Sequence, residues 1–210
     1  MINIYNQDCI EAMKDMSDNQ FDLAIVDPPY GINAEQGTNR ASRKKFKDKK
    51  YGWDNSSPTS QYWLQLFRIS KNQIIWGANH FIEDIPNSNS KHWLIWDKFN
   101  PDRCFADCEL AWCSNMDNAR IFKIKRVQEL NKEDGGKIHP TQKPVKLYEW
   151  ILMKYAKEGD KILDTHLGSG SIAIACHNLG YDLTGYEIDK EYFEAAQKRI
   201  KEHKSQLRIL

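Results

Sequence analysis

Four consecutive residues near the start of the chain, Asp27, Pro28, Pro29 and Tyr30, combine groups that could hold a planar amine. They follow the apolar run 22–26, which we predict to be a buried strand ended by the prolines, because proline has no amide for the ladder. The prolines also stiffen the turn and leave backbone carbonyls without neighbouring amide donors. The carboxylate and a carbonyl could accept both N–H bonds of an exocyclic amine while Tyr30 stacks on its ring. The alternative is an ordinary strand-ending turn.

A second pattern lies near the C-terminus, where 161–189 predicts a strand, a glycine turn, a helix and a second strand. Gly168, Gly170 and Ala173 form a G-x-G-x-x-A pattern, which allows a tight turn, a close ligand and close helix packing. Glu187 stands at the end of the second strand, where a carboxylate can accept both hydroxyls of a ribose. The pattern indicates a ligand of the adenosine type. A structural turn in an ordinary β-α-β unit is the alternative.

A strongly basic segment spans 40–50, which holds seven basic residues and one acid. It lies in a stretch from Gly31 to Thr59 without apolar periodicity, and loops of that length are usually functional or disordered. The segment is either a solvated loop or a surface that contacts phosphates. Tyr51 and Trp53 in the same stretch could wedge into stacked bases or anchor the loop.

The elements that must position these residues alternate between strands and helices. Such alternation predicts a mainly parallel sheet covered by helices on both faces. The glycine turn comes late in the chain, so the N-terminal part must supply the rest of the sheet, which would then be circularly permuted. The predicted strands are 2–6, 22–26, 73–76, 92–96, 161–164 and 182–187, the predicted helices are 8–16, 60–70, 144–157, 171–179 and 190–204, and 107–113 with 119–125 is predicted as a hairpin.

Length and composition limit the possible interpretations. With 210 residues, we predict a single domain over 1–210 that can bury a full core. The formal charge is +1, no apolar run is long enough to cross a membrane, and the N-terminus has no signal pattern, so we expect a cytoplasmic protein. The five cysteines are scattered, which argues against a disulfide framework. Cys104, Cys108 and Cys113 lack the tight pairs of structural zinc sites, so we expect no metal and predict buried thiols at Cys108 and Cys113.

Taken together, these motifs resemble the amino-group DNA methyltransferases that use S-adenosylmethionine, in the permuted order called the β class. The resemblance covers nearly the whole chain, with 27–30 as the catalytic motif and 139–144 (His-Pro-Thr-Gln-Lys-Pro) as the segment ahead of the cofactor turn. The run 164–171 resembles the loop that binds the cofactor's methionine moiety. The implied fold is α/β, a circularly permuted Rossmann-like methyltransferase fold with a mainly parallel sheet, helices on both faces and a hairpin at the edge of the sheet.

The resemblance also implies roles for individual residues. The catalytic residues would be Asp27, Pro28, Pro29 and Tyr30. Glu187 would bind the ribose, and Asp8 would meet the adenine of the cofactor. The full set of implied cofactor contacts is Asp8, Cys9, Asp27, Thr141, Gln142, Lys143, Asp164, His166, Leu167, Gly168, Ser169, Gly170, Ser171, Glu187 and Ile188. The implied DNA contacts are Arg40, Arg43, Lys44, Lys45, Lys47, Lys49, Lys50, Arg126 and Gln128.

Two features depart from the family pattern. His166 stands where an aromatic residue usually packs on the cofactor, and only 126–138 fills the place of a larger target-recognition region. We therefore expect a basic mobile loop, 31–57, and a minimal recognition loop, 126–138, to share the contacts with double-stranded DNA. So few candidate base readers predict a short target site, a degenerate one, or reliance on a second subunit in a homodimer.

The activity that the resemblance implies is methyl transfer from S-adenosylmethionine to N6 of a flipped adenine in DNA by a bacterial or phage protein. Asp in the first motif position is typical of adenine enzymes, whereas Ser is typical of cytosine-N4 enzymes, which remain an alternative. Methylation of an RNA base or a protein amide is another, although those motifs usually begin with Asn and follow the glycine turn. A silent DNA-binding relative and a dehydrogenase are further alternatives. The intact tetrapeptide disfavours the first of these, and the lack of a second domain disfavours the other.

Overall fold

The computed structural model describes residues 1–32, 56–86, 92–99, 106–114, 118–124 and 136–205. Its strands are β1 (Ile2–Asn6), β2 (Phe21–Val26), β3 (Ser70–Trp76), β4 (Trp93–Asp97), β5 (Cys108–Cys113), β6 (Arg120–Lys123), β7 (Lys161–Asp164) and β8 (Asp182–Glu187). Its α-helices are α1 (Cys9–Lys14), α2 (Ser60–Ile69), α3 (Val145–Tyr155), α4 (Ser171–Leu179) and α5 (Lys190–Ser205), and a 3₁₀ turn spans Ala78–His80.

The strands form one sheet in the order β1-β8-β7-β2-β3-β5-β4-β6. Every neighbouring pair is parallel except the two pairs made by β5, which runs antiparallel to β3 and to β4. The last two strands of the chain therefore lie between β1 and β2. This confirms the prediction of a mainly parallel, circularly permuted sheet.

The predicted hairpin of 107–113 with 119–125 is wrong, because β5 and β6 are not neighbours. β5 lies between β3 and β4, and its residues Ala111, Trp112 and Cys113 are buried. β6 is mostly exposed and pairs with β4 at the edge of the sheet. Closeness in sequence favoured the hairpin, but the more apolar strand takes the interior position, where it gains partners on both sides. Cys113 is buried as predicted, whereas Cys108 is exposed.

Helices cover both faces of the sheet, as predicted. On one face Leu23 and Ile25 of β2 pack with α3, α4 and α5 in one apolar cluster. On the other face Ala24 and Val26 belong to a second cluster with α1 and α2. A strand buried on both faces explains why 22–26 is a continuous apolar run rather than an alternating one. No described helix combines the length and the apolar character that crossing a bilayer needs.

Candidate active site

A cavity of about 340 Å³ opens beside the carboxyl ends of β1, β8, β7 and β2. Ligands in open parallel sheets bind at this edge, because the loops that follow the strands meet there. The predicted cofactor residues that line the cavity are Asp8, Cys9, Asp27, Thr141, Gln142, Lys143, His166, Leu167, Gly168, Ser169, Glu187 and Ile188. Thr165, within the predicted methionine-binding run 164–171, and Pro29, predicted as catalytic, also line the cavity. The lining residues that were not predicted as cofactor contacts are Gln7, Ile10, Ser56, Ser57, Pro58, Thr59, Tyr62, His139, Tyr148 and Tyr192.

Glu187 ties the glycine turn to the end of β8. Its Oε2 accepts a hydrogen bond from the Gly168 amide at 2.8 Å, and its Oε1 accepts one from the Asp189 amide at 2.9 Å. Burial raises the pKa of this carboxyl group, although the backbone hydrogen bonds oppose the shift. Each carboxylate oxygen has a further lone pair, so Glu187 can shape the turn and still accept hydroxyl groups from the cavity.

Arg199 supports the glycine turn from behind. Its Nη1 donates to the Ser169 carbonyl at 2.8 Å and to the Ser171 hydroxyl at 3.0 Å, and its side chain is buried. Gly170 has a φ of +71°, and a Cβ there would lie 3.1 Å from the Ile200 side chain. Gly170 and Ser171 thus face α5 rather than the cavity. Arg199 lies in a helix rich in exposed charges, so nothing in the sequence marks it out.

His166 contributes an uncharged aromatic surface to the cavity wall. Burial lowers its pKa to about 4, so the ring is neutral near pH 7. Its Nδ1 lies 2.9 Å from the Thr165 hydroxyl, which is 2.8 Å from the Tyr62 hydroxyl. Asp164 does not line the cavity; its Oδ1 accepts from the His166 amide at 3.0 Å, and burial raises its pKa to about 8.

The residues that follow β1 line the cavity next to the end of β8, since Asn6 pairs with Glu187 in the sheet. Asp8 caps α1, because its Oδ1 accepts a hydrogen bond from the Ile10 amide at 2.7 Å. The cap orients the carboxylate toward the start of the helix, where it also lines the cavity. Burial raises the pKa of Cys9 to about 12, so this thiol is protonated. Ile188, beyond β8, adds an exposed apolar side chain to the same wall.

The segment 139–144 lines the cavity through His139, Thr141, Gln142 and Lys143. His139 packs against Gly168, where an added Cβ would lie 3.7 Å from the ring, and its ring centroid is 4.3 Å from that of Tyr192. Burial lowers its pKa to about 3, so it too is neutral. Gln142 is turned toward its own loop, since its Oε1 accepts from the Ile138 amide at 2.9 Å. His139 belongs to the motif at 139–144 but is not one of the predicted site residues.

Asp27 follows β2 at the rim of the cavity, and each of its oxygens is held. The Tyr30 hydroxyl donates to Oδ1 at 2.7 Å, and Lys143 Nζ donates to Oδ2 at 2.5 Å. The Lys143 side chain is only 2% exposed. Lys143, a predicted cofactor contact, lines the cavity and makes its shortest contact with the Asp27 carboxylate.

Lys143 also reaches a second carboxylate. Its Nζ lies 3.1 Å from Glu109 Oε2 on β5 and 5.1 Å from the centre of the Trp76 ring. Glu109 Oε1 in turn lies 2.7 Å from Lys98 Nζ, just after β4. Asp27, Lys143, Glu109 and Lys98 therefore form a line of alternating charges, which we call the charge chain. No motif in the sequence predicted Glu109 or Lys98 as members of the site.

Tyr30 lies against two other residues of the site and does not line the cavity. Its ring stacks on His80 with centroids 4.9 Å apart and an interplanar angle of 17°. A Cβ added at Gly77 would lie 2.1–2.7 Å from three atoms of the same ring. Glycine is therefore required at this position, which also has a φ of +67°. The stacking of a planar ligand on Tyr30 remains a prediction.

The predicted DNA contacts all lie outside the described residues: Arg40, Arg43, Lys44, Lys45, Lys47, Lys49, Lys50, Arg126 and Gln128. The described residues that flank the first segment meet beside the site. The Ser57 hydroxyl donates to the Tyr30 carbonyl at 3.3 Å, and a Cβ at Gly31 would lie 3.0 Å from the same hydroxyl. Among the described residues, no group of three His, Cys, Asp or Glu side chains is placed to hold a metal ion.

Two comparisons with known sequences agree with this geometry. Residues 44–198 match the model of a family of N6 and N4 methyltransferases described as DNA methylase. The chain is 28% identical to the type II methyltransferase M.HinfI of Haemophilus influenzae, over 96% of this chain and 68% of that protein. It is 25% identical to the type II methyltransferase M.HpaI of Haemophilus parainfluenzae, over 91% of this chain and 71% of that protein.

Solved structures confirm the fold. The complex of M1.HpyAVI with SAM superposes with a TM-score of 0.65 at 24% identity, covering 95% of this chain and all of that chain. The cytosine-N4-specific PvuII DNA methyltransferase has a TM-score of 0.66 at 13% identity, covering 100% and 88% of the two chains. Because the family model matches about three quarters of the sequence and the site contains the expected turn and tetrapeptide, the chain belongs to the DNA methylase family and is a DNA methyltransferase.

Proposed function

We propose that the protein transfers the methyl group of S-adenosylmethionine to N6 of an adenine in DNA. One observation carries the proposal: the Asp27 carboxylate is fixed at the rim of a cavity whose other walls are the glycine turn and Glu187. A hydrogen-bond acceptor for an amine thus stands beside a pocket of the size and lining that a nucleoside cofactor needs.

The residues of the cavity fit the cofactor. Glu187 at the end of β8 would accept the ribose hydroxyls, and Asp8 and Ile188 would flank the adenine. The turn at 167–169 and the neutral His166 would hold the methionine part. Because both histidines on this wall are uncharged near pH 7, they add no positive charge beside a cationic sulfonium. The bound cofactor supplies an electrophilic methyl group, and the protein's own residues bind and orient the target amine.

Asp27 and the carbonyl of Pro28 would act on the target nitrogen. An exocyclic amine of a nucleobase is a poor nucleophile, because its lone pair is delocalised into the ring. Two acceptors that bind both of its N–H bonds favour a more pyramidal nitrogen with a freer lone pair. They also stabilise the positive charge that develops on the nitrogen as it is methylated. Tyr30 and Lys143 hold the carboxylate in one orientation for this task, which is a positioning effect.

DNA must approach the same rim, because the target atom is inaccessible within a stacked duplex and the base must be flipped. The basic segment fits this need. Its flanking residues Gly31 and Ser57 meet beside Tyr30, so the seven basic side chains lie in a connection that starts and ends at the rim. The second predicted recognition loop, 126–138, leads directly into His139 on the cavity wall. We further propose that the protein acts in the cytoplasm, alone or as a homodimer.

The test of the proposed function is to incubate the protein with isotopically labelled S-adenosylmethionine and duplex DNA and to identify the labelled nucleoside. We expect the labelled nucleoside to be N6-methyldeoxyadenosine. Label in N4-methylcytosine would overturn the assignment of the base, and label only in RNA or protein would overturn the assignment of the substrate. The Asp27→Ala variant is the negative control.

The roles of the two loops can be separated by a second experiment. Replacing Lys44, Lys45, Lys47, Lys49 and Lys50 by Gln should weaken binding to all DNA sequences alike and flatten the salt dependence, by about 0.9 in slope for each phosphate that the variant no longer neutralises. Replacing Arg126 or Gln128 should instead change which adenines are methylated, because these side chains can read base edges. Sequencing of methylated sites in random DNA distinguishes the two outcomes. A long, strict target read by a monomer would contradict this division.

A further inference from the structure

Glu109 is the one acidic member of the charge chain that lies away from the cofactor cavity. It is on β5, two strands from β2 in the sheet, and Lys143 spans the gap above Trp76 of β3. β5 is antiparallel to β3 and β4, so its first residues lie at the edge where those strands end. In the register of the sheet Glu109 is opposite Trp96, just before Asp97 at the end of β4. If β5 ran parallel to β3 and β4, Glu109 near its beginning would lie at the other edge of the sheet, away from the rim of the cavity.

The four side chains of the charge chain are largely enclosed by protein, so solvent screens their charges only partly. Lys143 is 2% exposed, Lys98 8%, Asp27 18% and Glu109 24%. Burial by itself disfavours a charge, but Lys143 and Lys98 hold the pKa of Glu109 at about 2, and the two carboxylates raise the pKa of Lys143. Glu109 and Lys143 are therefore charged near pH 7, and the formal charges of the two carboxylates and two lysines in the charge chain sum to zero.

We propose that Glu109 is a positioning residue for methyl transfer, which balances Lys143 so that Asp27 remains an effective acceptor for the target amine. The inference rests on the proposed function. Without Glu109, Asp27 would be the sole carboxylate partner of the Lys143 ammonium within the charge chain. Lys143 would then compete with the N–H bonds of the target amine for the oxygens of Asp27. The site would also carry a net positive charge close to the nitrogen where positive charge develops, which opposes the reaction.

The first test is Glu109→Gln, which keeps the size of the side chain and removes its charge. We expect the single-turnover rate of methyl transfer to fall about 10- to 100-fold, as an unbalanced unit charge a few ångström away does in a partly buried site. Single turnover is measured because product release limits many enzymes. Cofactor affinity, measured by calorimetry, should change less than twofold, because Glu109 does not line the cavity.

The second test distinguishes charge balance from simple packing. In the double variant Lys98→Met with Glu109→Gln, the remaining pair, Asp27 and Lys143, is neutral again. We expect the double variant to recover the part of the rate that the net positive charge removes, although it carries one more substitution and Lys143 still lacks the Glu109 carboxylate. If Glu109 only supported the structure, removing Lys98 as well would add damage and give no rescue.

Asp22→Asn is the matched control. Asp22 also lies in the sheet, at the opposite end of β2, where it pairs with Lys71 at 2.7 Å and accepts from the Lys161 amide. We expect this variant to keep the wild-type rate. The inference is overturned if Glu109→Gln behaves like Asp22→Asn, or if the double variant is slower than the single one. If wild-type protein methylates no DNA, the proposed function fails and this inference fails with it.

Discussion

At the β1-β8-β7 end of the sheet the functional carboxylates accept hydrogen bonds from backbone amides, whereas at the β2-β3-β5-β4 end they are paired with lysines. Glu187 binds the amides of Gly168 and Asp189, while Asp27 and Glu109 share Lys143. We call these regions the cofactor half and the target half. Backbone amides fix the shape of a loop around a ligand that is always the same. In the proposed mechanism, paired side chains instead set the charge at the point where charge changes during the reaction.

The two halves also differ in how they are ordered along the chain. The cofactor half contains a compact unit, 161–189, in which each element follows its neighbour in space. In the target half, β5 inserts between β3 and β4, and the charge chain draws its members from four separate segments. Substitutions in the target half should therefore change the rate of methyl transfer and leave cofactor affinity unaffected. Substitutions in the cofactor half should change cofactor affinity first.

The largest effect is expected for Asp27→Ala in the target half. The variant loses the acceptor for the target amine, so methyl transfer should fall by about 10³-fold or more. Cofactor affinity should remain within a few fold, because the glycine turn and Glu187 do not depend on this residue. Single-turnover kinetics and calorimetry measure the two properties separately. Wild-type-like turnover would contradict the mechanism.

Glu187→Ala should have the opposite profile. Loss of a charged acceptor for the ribose should weaken cofactor binding by roughly 1.5–3 kcal/mol, which is about 10- to 150-fold. The amides of Gly168 and Asp189 lose their partner in the same step, so Glu187→Gln, which keeps one acceptor oxygen, should show an intermediate loss. Asp182→Asn, at the exposed beginning of the same strand, is the control and should bind the cofactor normally. Unchanged affinity in Glu187→Ala by calorimetry would refute the ribose assignment.

Much of the cofactor half could be predicted from the sequence, because local patterns determine it. The pattern of 161–189 predicted β7, α4 and β8 at their observed bounds. The glycine turn between β7 and α4 places the Gly168 amide within hydrogen-bonding distance of Glu187. The role of Arg199 could not be predicted, since a buried arginine within a charged helix has no signature in one sequence. Arg199 is buried because it packs against the glycine turn, 30 residues earlier in the chain.

The target half was harder to predict because its contacts join residues far apart in the chain. The Asp27 to Tyr30 motif predicted a carboxylate at the end of β2, and Asp27 lies directly after that strand. The hairpin of β5 with β6 was wrong, and Glu109 was missed with it, because its position depends on β5 pairing with β3 and β4. Lys143 lines the cavity, but its carboxylate partners could not be predicted, because only the folded sheet brings them together.

Gly77→Ala should disturb the target half with a smaller effect. The new Cβ would collide with the Tyr30 ring, and the residue has a φ of +67°, so we expect a loss of stability of about 1–3 kcal/mol. Displacing Tyr30 removes its hydrogen bond to Asp27, which should slow methyl transfer about tenfold without changing cofactor affinity. Gly159→Ala is the matched control, because Gly159 has a φ of +86° and no atom near its added Cβ. Equal rates for the two variants would contradict this role of Tyr30.

The smallest effect concerns stability between pH 4 and pH 8, which should report mainly on the cofactor half. Burial raises the pKa of Asp164 from 3.8 to about 8, so its contribution is complete below pH 3.8 and is lost as the pH rises through about 8. Burial lowers the pKa of His139 and His166 from 6.5 to about 3 and about 4, so their contributions are complete above pH 6.5 and are lost on acidification. The pKa of Glu109 is lowered from 4.5 to about 2, so its contribution is lost mostly below this window, and that of Lys143 is raised above 10.5, so its contribution is lost above it.

These directions predict a maximum of stability near pH 6.5 for the cofactor-free protein. Between pH 6.5 and pH 8 the free energy of unfolding should fall by about 1.4 kcal/mol per pH unit, because Asp164 is deprotonated in the unfolded protein and still protonated in the folded one. Between pH 4 and pH 6.5 the two histidines together outweigh Asp164, so stability should fall on acidification, and the raised pKa of Glu187 makes this decline shallower. Asp164→Asn should remove the alkaline decline, and His166→Phe should flatten the acid side, because His139 and Asp164 then cancel. Urea denaturation at a series of pH values measures both slopes, and an alkaline decline that persists in Asp164→Asn would show that the charge of Asp164 does not limit the cofactor half.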